Sequence, residues 1–179
     1  EPGAPNLSEF LPSLQLSHNT SWERYFQWIA DMLVDRDVAS PALKARVAEL
    51  VEKFDENDVD ARARAIFRWV NDEIDEGDGL DTPVSYILEE RMGNRARLLH
   101  VMLREAGVPS ELWLVRAAQA DHTETEIPSF NVYTKLLVRV GDDWLLPFAK
   151  TTPYGALPFD VREEKAVRLF PDRAPDLTP

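Results

Sequence analysis

Apolar positions recur at helical spacing through the first half of the chain. Thr20 precedes Glu23 by three residues, the spacing of a capping box, which predicts a helix start. The apolar stripe of this first predicted helix consists of Trp22, Phe26, Ile29 and Leu33. Ser40 followed by Pro41 predicts a second helix, since serine caps helices and proline suits their first position. Its apolar face consists of Leu43, Val47, Leu50 and Val51.

A third helix is predicted from about Asp58, with its apolar face on Ala63, Ile66, Phe67, Val70 and Ile74. Residues 71–81 are acidic and contain two glycines, so they predict an exposed, solvated connector. A short helix is predicted after Pro83, through Leu88.

The most apolar helix is predicted directly after Met92-Gly93-Asn94. Its apolar residues cover more than one face, which indicates that it is largely buried: Leu98, Leu99, Val101, Met102, Leu103 and Ala106. Gly107 and Pro109 predict its end.

The second half of the chain changes to the alternation and β-branched content of strands. A strand is predicted over residues 111–116, a polar loop over 117–129 and a long strand over 131–140. Gly141-Asp142-Asp143 predicts a hairpin turn into a strand at Trp144-Leu145-Leu146, and residues 165–170 predict a further short strand. Helices first and strands second indicate an α+β domain.

The length suits one domain with a real core. We divide the chain into an extended lead-in or linker at 1–19, a domain at 20–170 and a C-terminal tail at 171–179. The chain begins without Met and without a signal peptide, which indicates a mature or excised piece of a longer protein.

Charge and composition exclude several classes of function. The formal net charge is −12, so binding to nucleic acid or anionic lipid through bulk charge is not expected. No apolar run approaches the ~20 residues that span a bilayer, so no direct membrane insertion is expected. The chain has no cysteine, which removes disulfides, thiolate zinc sites and a cysteine nucleophile.

Three segments together resemble bacterial transglutaminase-like domains. Residues 93–109, GNRARLLHVMLREAGVP, resemble the central helix of that family and its exit. Residues 61–74, ARARAIFRWVNDEI, are similar to the helix before it, and residues 136–158, LLVRVGDDWLLPFAKTTPYGALP, resemble its hairpin and following loop. The resemblance covers roughly residues 58–158. It implies a papain-like core in which one buried central helix packs on a small antiparallel sheet.

The same resemblance implies a catalytic triad that this chain has lost. Enzymes of the superfamily use a cysteine at the start of the buried helix, a histidine on a facing strand and an aspartate on the next strand. A helix N-terminus stabilises the thiolate, and the carboxylate orients the imidazole. Aligned without gaps, these roles fall on Met92, Lys135 and Leu146. A thioether cannot become a thiolate and a leucine cannot orient an imidazole, so the three roles of the family's triad are empty.

The histidines and hydroxyls offer no clear replacement. His18 lies in the lead-in, and His100 is interpreted as a core or edge histidine. His122 lies in an acidic stretch that is a weak candidate for a cation site, so no metal and no cofactor are predicted. No Gly-x-Ser-x-Gly or Ser-x-x-Lys motif is present, while Lys135 remains a candidate base if it is buried.

Two ligand-binding hypotheses remain. Arg91, Arg95 and Arg97, with Asn94, crowd the start of the buried helix and suggest an anion pocket. The alternative, which we favour, is that these arginines pair with Glu89, Glu90 and the acidic residues of 72–81. The second hypothesis places Trp113, Tyr133 and Trp144 along a groove, although aromatic residues at strand positions also serve as core.

The leading functional prediction is a non-catalytic transglutaminase-like module that binds a protein or peptide segment. A cryptic hydrolase, amidase or acyltransferase with non-standard residues is the alternative, and a purely structural domain of a larger bacterial protein is a third possibility. Residues 10–28 are similar to the junction after a β-rich domain that often precedes such domains in envelope proteins. The resemblance therefore implies that β-rich neighbour as a partner and a periplasmic or cell-envelope location.

Overall fold

The computed structural model describes residues 21–77, 79–116, 128–129 and 132–169, with the backbone of 176–177. Its helices are α1 (Trp22–Arg36), α2 (Pro41–Val51), α3 (Val59–Glu73), α4 (Val84–Glu90) and α5 (Arg95–Glu105). Its strands are β1 (Asp75–Glu76), β2 (Met92–Gly93), β3 (Glu111–Val115), β4 (Lys135–Val140), β5 (Asp143–Leu145), β6 (Ala166–Leu169) and β7 (Asp176–Leu177). The fold is α+β, as the sequence predicts.

Side-chain caps set the starts of the first three helices. Ser40 and Asp58 accept hydrogen bonds from the backbone N–H groups of Leu43 and Ala61, at 3.2 and 3.1 Å, which confirms both predicted starts. At α1 the predicted cap is wrong by one residue. Ser21 accepts from the N–H of Arg24 at 3.3 Å and is the N-cap, and Thr20 lies outside the described residues.

Helix α5 forms the centre of the core. Nine of its eleven residues, from Arg95 to Leu103, are buried. The helix packs against α3 and against the inner face of the sheet, where the side chains of β3 and β4 complete the main hydrophobic cluster. This placement confirms the predicted buried helix.

The sheet has the strand order β5-β4-β3-β6-β7, and every neighbouring pair is antiparallel. Alternate residues point to its two faces. Leu112, Leu114, Leu136 and Val138 belong to the inner core, beneath the helices. A second, smaller cluster is built on Trp113, Val115 and Leu137 of the outer face and extends past the strands to Leu146 and Val161.

The predicted connector at 71–81 is partly wrong. Helix α3 continues to Glu73, and Asn71 is buried because its side-chain amide donates to the carbonyls of Lys150 and Thr152, at 3.0 and 3.3 Å. Beyond the helix, β1 pairs in parallel with β2, which joins the segment to the start of α5. These contacts join residues that are distant in sequence, so the local pattern of charges could not predict them.

The predicted strand at 131–140 starts later than expected. Strand β4 begins at Lys135, which is paired with Val115, the last residue of β3. Residues 132–134 form a turn and a bend before the strand, and the N–H of Thr134 donates to the carbonyl of Val115 at 3.1 Å. The predicted hairpin and the predicted strand at 165–170 are both present, as β4–β5 and β6.

Candidate functional site

A cleft of about 810 Å³ opens between α1, the start of α5 and the sheet. It is larger than the grooves beside α3, which measure about 460 and 410 Å³. Its wall is formed by Trp28, Met32, Glu76, Gly79, Leu80, Asp81, Asn94, Ala96, Leu114, Tyr133, Thr134, Lys135, Leu136, Leu146 and Phe148. Most of these side chains are apolar, and clefts of this size and character are typical ligand sites.

One wall comes from a second apolar stripe on α1. Trp28 and Met32 lie one helical turn apart and off the stripe that α1 buries in the core. Trp28 is 44% exposed, and its ring centroid lies 6.2 Å from that of Tyr25. The cleft therefore presents a partly exposed aromatic ring on this wall.

Tyr133 fixes the distance between α1 and the sheet. Its ring packs edge-on against Trp22 and Phe26, with centroids 5.5 and 5.0 Å apart. Burial raises the pKa of its phenol. Tyr133 therefore keeps its proton at neutral pH and acts as a packed, polar-tipped part of the wall.

The opposite wall combines an ion pair with apolar side chains. Lys135, at the first position of β4, pairs through Nζ with a carboxylate oxygen of Asp160. Leu146 and Phe148 follow β5, and Phe148 is 45% exposed. This wall therefore offers one neutralised ion pair beside a second exposed aromatic ring.

The start of α5 forms the floor of the cleft. Asn94 is its N-cap and accepts a hydrogen bond from the N–H of Arg97 at 3.1 Å. Arg95 lies behind it with a side chain only 4% exposed, and it donates to the carbonyls of Ile74 and Pro147, at 2.6 and 3.2 Å. These bonds join the start of the helix to the segments on both sides of the cleft.

The structure brings two of the three positions that match the lost triad into the cleft. Lys135 and Leu146 both belong to its wall. Met92 does not, because it lies in β2, three residues before α5 begins, and its side chain is 58% exposed. Gly93 makes this path possible, since its φ is +147° and a Cβ there would lie 2.7 Å from a carbon of Ile87.

The arginines near α5 do not converge on a common pocket. Arg91 lies over the ring of Trp69, 5.0 Å from its centroid, and 3.7 Å from a carboxylate oxygen of Glu73. Arg97 is fully buried and pairs with Asp37 at 2.5 Å, while Arg95 binds backbone carbonyls. Glu76 lies 3.7 Å from Arg95, so two of the acidic residues at 72–81 do approach these arginines.

Trp113 and Trp144 lie away from the cleft. They belong to the cluster on the outer face of the sheet, where their rings pack edge-on at 5.1 Å. The indole N–H of Trp113 donates to Glu111 at 3.1 Å, and the residue is 5% exposed. The core-packing interpretation fits both, and Tyr133 alone of the three aromatic candidates lines the cleft.

His100 has the contacts of a core histidine. It is 8% exposed, and its Nδ1 lies 3.1 Å from the hydroxyl of Ser110. Burial lowers its pKa to about 4, and the charge of Arg104 acts in the same direction. The imidazole is therefore neutral at pH 7 and outside the cleft, and His18 and His122 lie outside the described residues.

Several residues of the cleft wall are not predicted from the sequence, and the most important of them are Trp28, Met32 and Phe148. Trp28 and Met32 carried a readable signal, because two apolar residues one turn apart lie off the main stripe of an amphipathic helix. Phe148, Glu76, Leu80 and Asp81 carried no such signal in the sequence, since only the tertiary fold brings them into the cleft.

Within the described ranges, no group of three or more His, Asp or Glu side chains is placed to hold a metal ion. No helix in that part of the chain is both long enough and apolar enough to cross a membrane.

Comparisons with known proteins support the fold. No protein-family model and no curated protein matches the chain. Among solved structures, the chain is similar to a "putative protease" from Parabacteroides distasonis ATCC 8503, with a TM-score of 0.57 and 20% sequence identity. The match covers 80% of this chain and 29% of that chain, so this chain spans less than a third of its neighbour. The likeness supports the α+β fold and fits the papain-like core that the transglutaminase-like resemblance implies.

Proposed function

We propose that this chain is a non-catalytic transglutaminase-like module whose cleft binds an extended peptide segment. The observation that carries the proposal is the open, mostly apolar cleft at the start of the buried helix, with Lys135 and Leu146 in its wall. These two positions match the histidine and the aspartate of the family's enzymes. The binding cleft is thus kept while the reactive groups are replaced.

The available side chains do not support acyl transfer by the family's mechanism. The chain has no cysteine, and the thioether of Met92 cannot form a thiolate. Lys135 is held in an ion pair by Asp160, and Leu146 cannot hydrogen-bond to a base. A thioester intermediate therefore has no nucleophile to form on.

The cleft suits a peptide because two large aromatic side chains remain exposed on its opposite walls. Trp28 and Phe148 are 44% and 45% exposed. Covering each ring would contribute on the order of 1 kcal/mol, from about 25 cal/mol for every Å² of apolar surface removed from water. An extended segment places alternate side chains on one face, so apolar residues at every second position could contact both walls.

The test is a selection of short random peptides displayed on phage against the immobilised domain. The wild-type domain is expected to enrich peptides with apolar side chains at alternate positions. The double variant Trp28→Ala/Phe148→Ala should weaken binding of the enriched peptides at least tenfold, because most of the exposed aromatic contact is gone.

The matched control is Tyr86→Ala/Phe159→Ala. These rings are 52% and 81% exposed and lie outside the cleft wall, so their removal should leave binding unchanged. Equal loss in both double variants would contradict a site in the cleft. Cleavage or cross-linking of the enriched peptide by the wild-type domain would instead favour the alternative, a cryptic hydrolase or acyltransferase.

A further inference from the structure

Carboxylates lie in one wall of the cleft and on α1, next to the part of that helix that forms the other wall. Asp35 lies two helical turns after Trp28 and on the same side of α1, beyond the residues of this helix that line the cleft, and Asp31 lies between Trp28 and Asp35 in sequence. Asp81 is in the wall that faces α1. All three aspartates are exposed.

The contacts bring the acidic ends of these two walls together. The guanidinium of Arg36, the last residue of α1, donates to the backbone carbonyl of Asp81 at 2.6 Å. Asp35 is the neighbour of Arg36 in sequence. The backbones of Asp35 and Asp81 therefore lie at the same end of the cleft, where α1 ends.

The cations that the described residues place around the cleft already have hydrogen-bond or ion-pair partners. Lys135 pairs with Asp160, Arg95 is buried and donates to two carbonyls, and Arg36 donates to a carbonyl. Asp31, Asp35 and Asp81, in contrast, form no ion pair within the part of the chain that the structure describes. Asp31, Asp35 and Asp81 outnumber the single positive charge of Arg36, so this end of the cleft carries an excess of negative charge, on a chain whose formal net charge is −12.

We infer that the cleft selects a peptide segment in which a lysine or arginine adjoins the apolar side chains. This inference rests on the proposed function. The apolar side chains would cover Trp28 and Phe148, and the basic side chain would extend to the acidic end of the cleft, between Asp35 and Asp81. Complementary charge of this kind contributes chiefly to specificity and to the association rate.

The experiment repeats the phage selection with Asp35→Asn/Asp81→Asn. The wild-type domain should enrich peptides rich in lysine and arginine next to apolar residues, and the variant should lose that basic excess. Measured by fluorescence anisotropy, the best wild-type peptide should bind the variant roughly three- to tenfold more weakly. The difference should shrink as the salt concentration rises above about 0.1 M.

The control is Glu89→Gln/Glu90→Gln, which removes the same number of charges from exposed positions on α4, outside the cleft wall. It should retain the basic preference. Enrichment without a basic excess, or an equal loss in both variants, would overturn the inference and leave the proposed function standing. Absence of any enriched peptide would overturn both.

Discussion

At the residue scale, the pair of Arg97 and Asp37 is the most tightly enclosed charge interaction in the described chain. Both the Nε and an Nη of Arg97 donate to one oxygen of Asp37, at 3.1 and 2.5 Å, and both side chains are buried. Burial raises the pKa of Asp37, and the charge of Arg97 opposes that rise. The pair joins the end of α1 to the first turn of α5, and so fixes two parts of the cleft relative to each other.

Replacing Arg97 should therefore be costly. Arg97→Met leaves the Asp37 carboxylate buried without its partner, and the free energy of unfolding should fall by about 3–5 kcal/mol. Urea denaturation measures this loss. The double variant Arg97→Met/Asp37→Leu should regain much of the lost stability, because no buried charge remains. A loss of stability equal to the sum of the losses in the two single variants would show that the pair is not coupled.

The buried imidazole of His100 predicts a dependence of stability on pH. Its pKa is lowered to about 4 in the folded chain, while the unfolded chain has the ordinary value near 6.5. Between these values the unfolded state binds the extra proton, so stability is fully present above about pH 6.5 and falls as the pH drops towards 4. The full effect is on the order of 3 kcal/mol.

His100→Gln removes this titration and should flatten the fall in stability between about pH 7 and pH 5, measured by urea denaturation at each pH. The raised pKa of the buried Asp37 acts in the opposite direction, since it favours the folded state as the pH falls, but it is common to both chains, so the difference between their slopes reports His100. An unchanged slope in the variant would mean that another group controls the acid sensitivity.

At the element scale, the sequence predicted what short-range periodicity determines. The stripes on α1, α2, α3 and α5 and the hairpin of β4 and β5 were all readable, because each depends on neighbours a few residues apart. The pairing of Asp75 with Met92 was not, because it depends on packing between distant segments. That pairing places Met92, the residue aligned with the family's cysteine, in β2, outside the helix that begins at Arg95 as the sequence predicts.

The absence of cysteine makes this geometry testable with single thiols. In Asn94→Cys the sulfur would lie at the N-cap of α5, where the helix dipole favours the thiolate. In Met92→Cys the sulfur would lie at an exposed position of β2, away from the positive end of the α5 dipole. Alkylation by iodoacetamide at pH 7 should therefore be several-fold faster for Asn94→Cys than for Met92→Cys.

Ser85→Cys, on α4 and outside the cleft wall, supplies a reference for an ordinary thiol. Met92→Cys should react at a similar rate to this reference. A faster reaction at Met92→Cys than at Asn94→Cys would indicate that the family's nucleophile position has kept its activating environment.

At the scale of the whole molecule, the cleft is assembled from parts that are far apart in sequence. Of the residues proposed from the sequence, Asn94, Tyr133, Lys135 and Leu146 meet there. The sequence predicts a solvated connector for the acidic segment near Asp81, because its charges are visible in the local sequence. The contact between Asp81 and Arg36 at the end of α1 depends on the tertiary fold, so the local sequence does not show it. The sequence therefore predicted residues of the floor and of the sheet side of the cleft. The residues of the α1 wall became apparent only from the tertiary fold.

The most direct test of the central claim is an NMR titration of the isotope-labelled domain with the best peptide from the selection, followed by the peptide's own signals over time. Binding without chemistry predicts shift changes at Asn94, Tyr133 and Lys135, little change at Trp113 on the outer face, and an intact peptide throughout. Shift changes confined to the outer face, or the growth of new peptide fragments, would contradict the account.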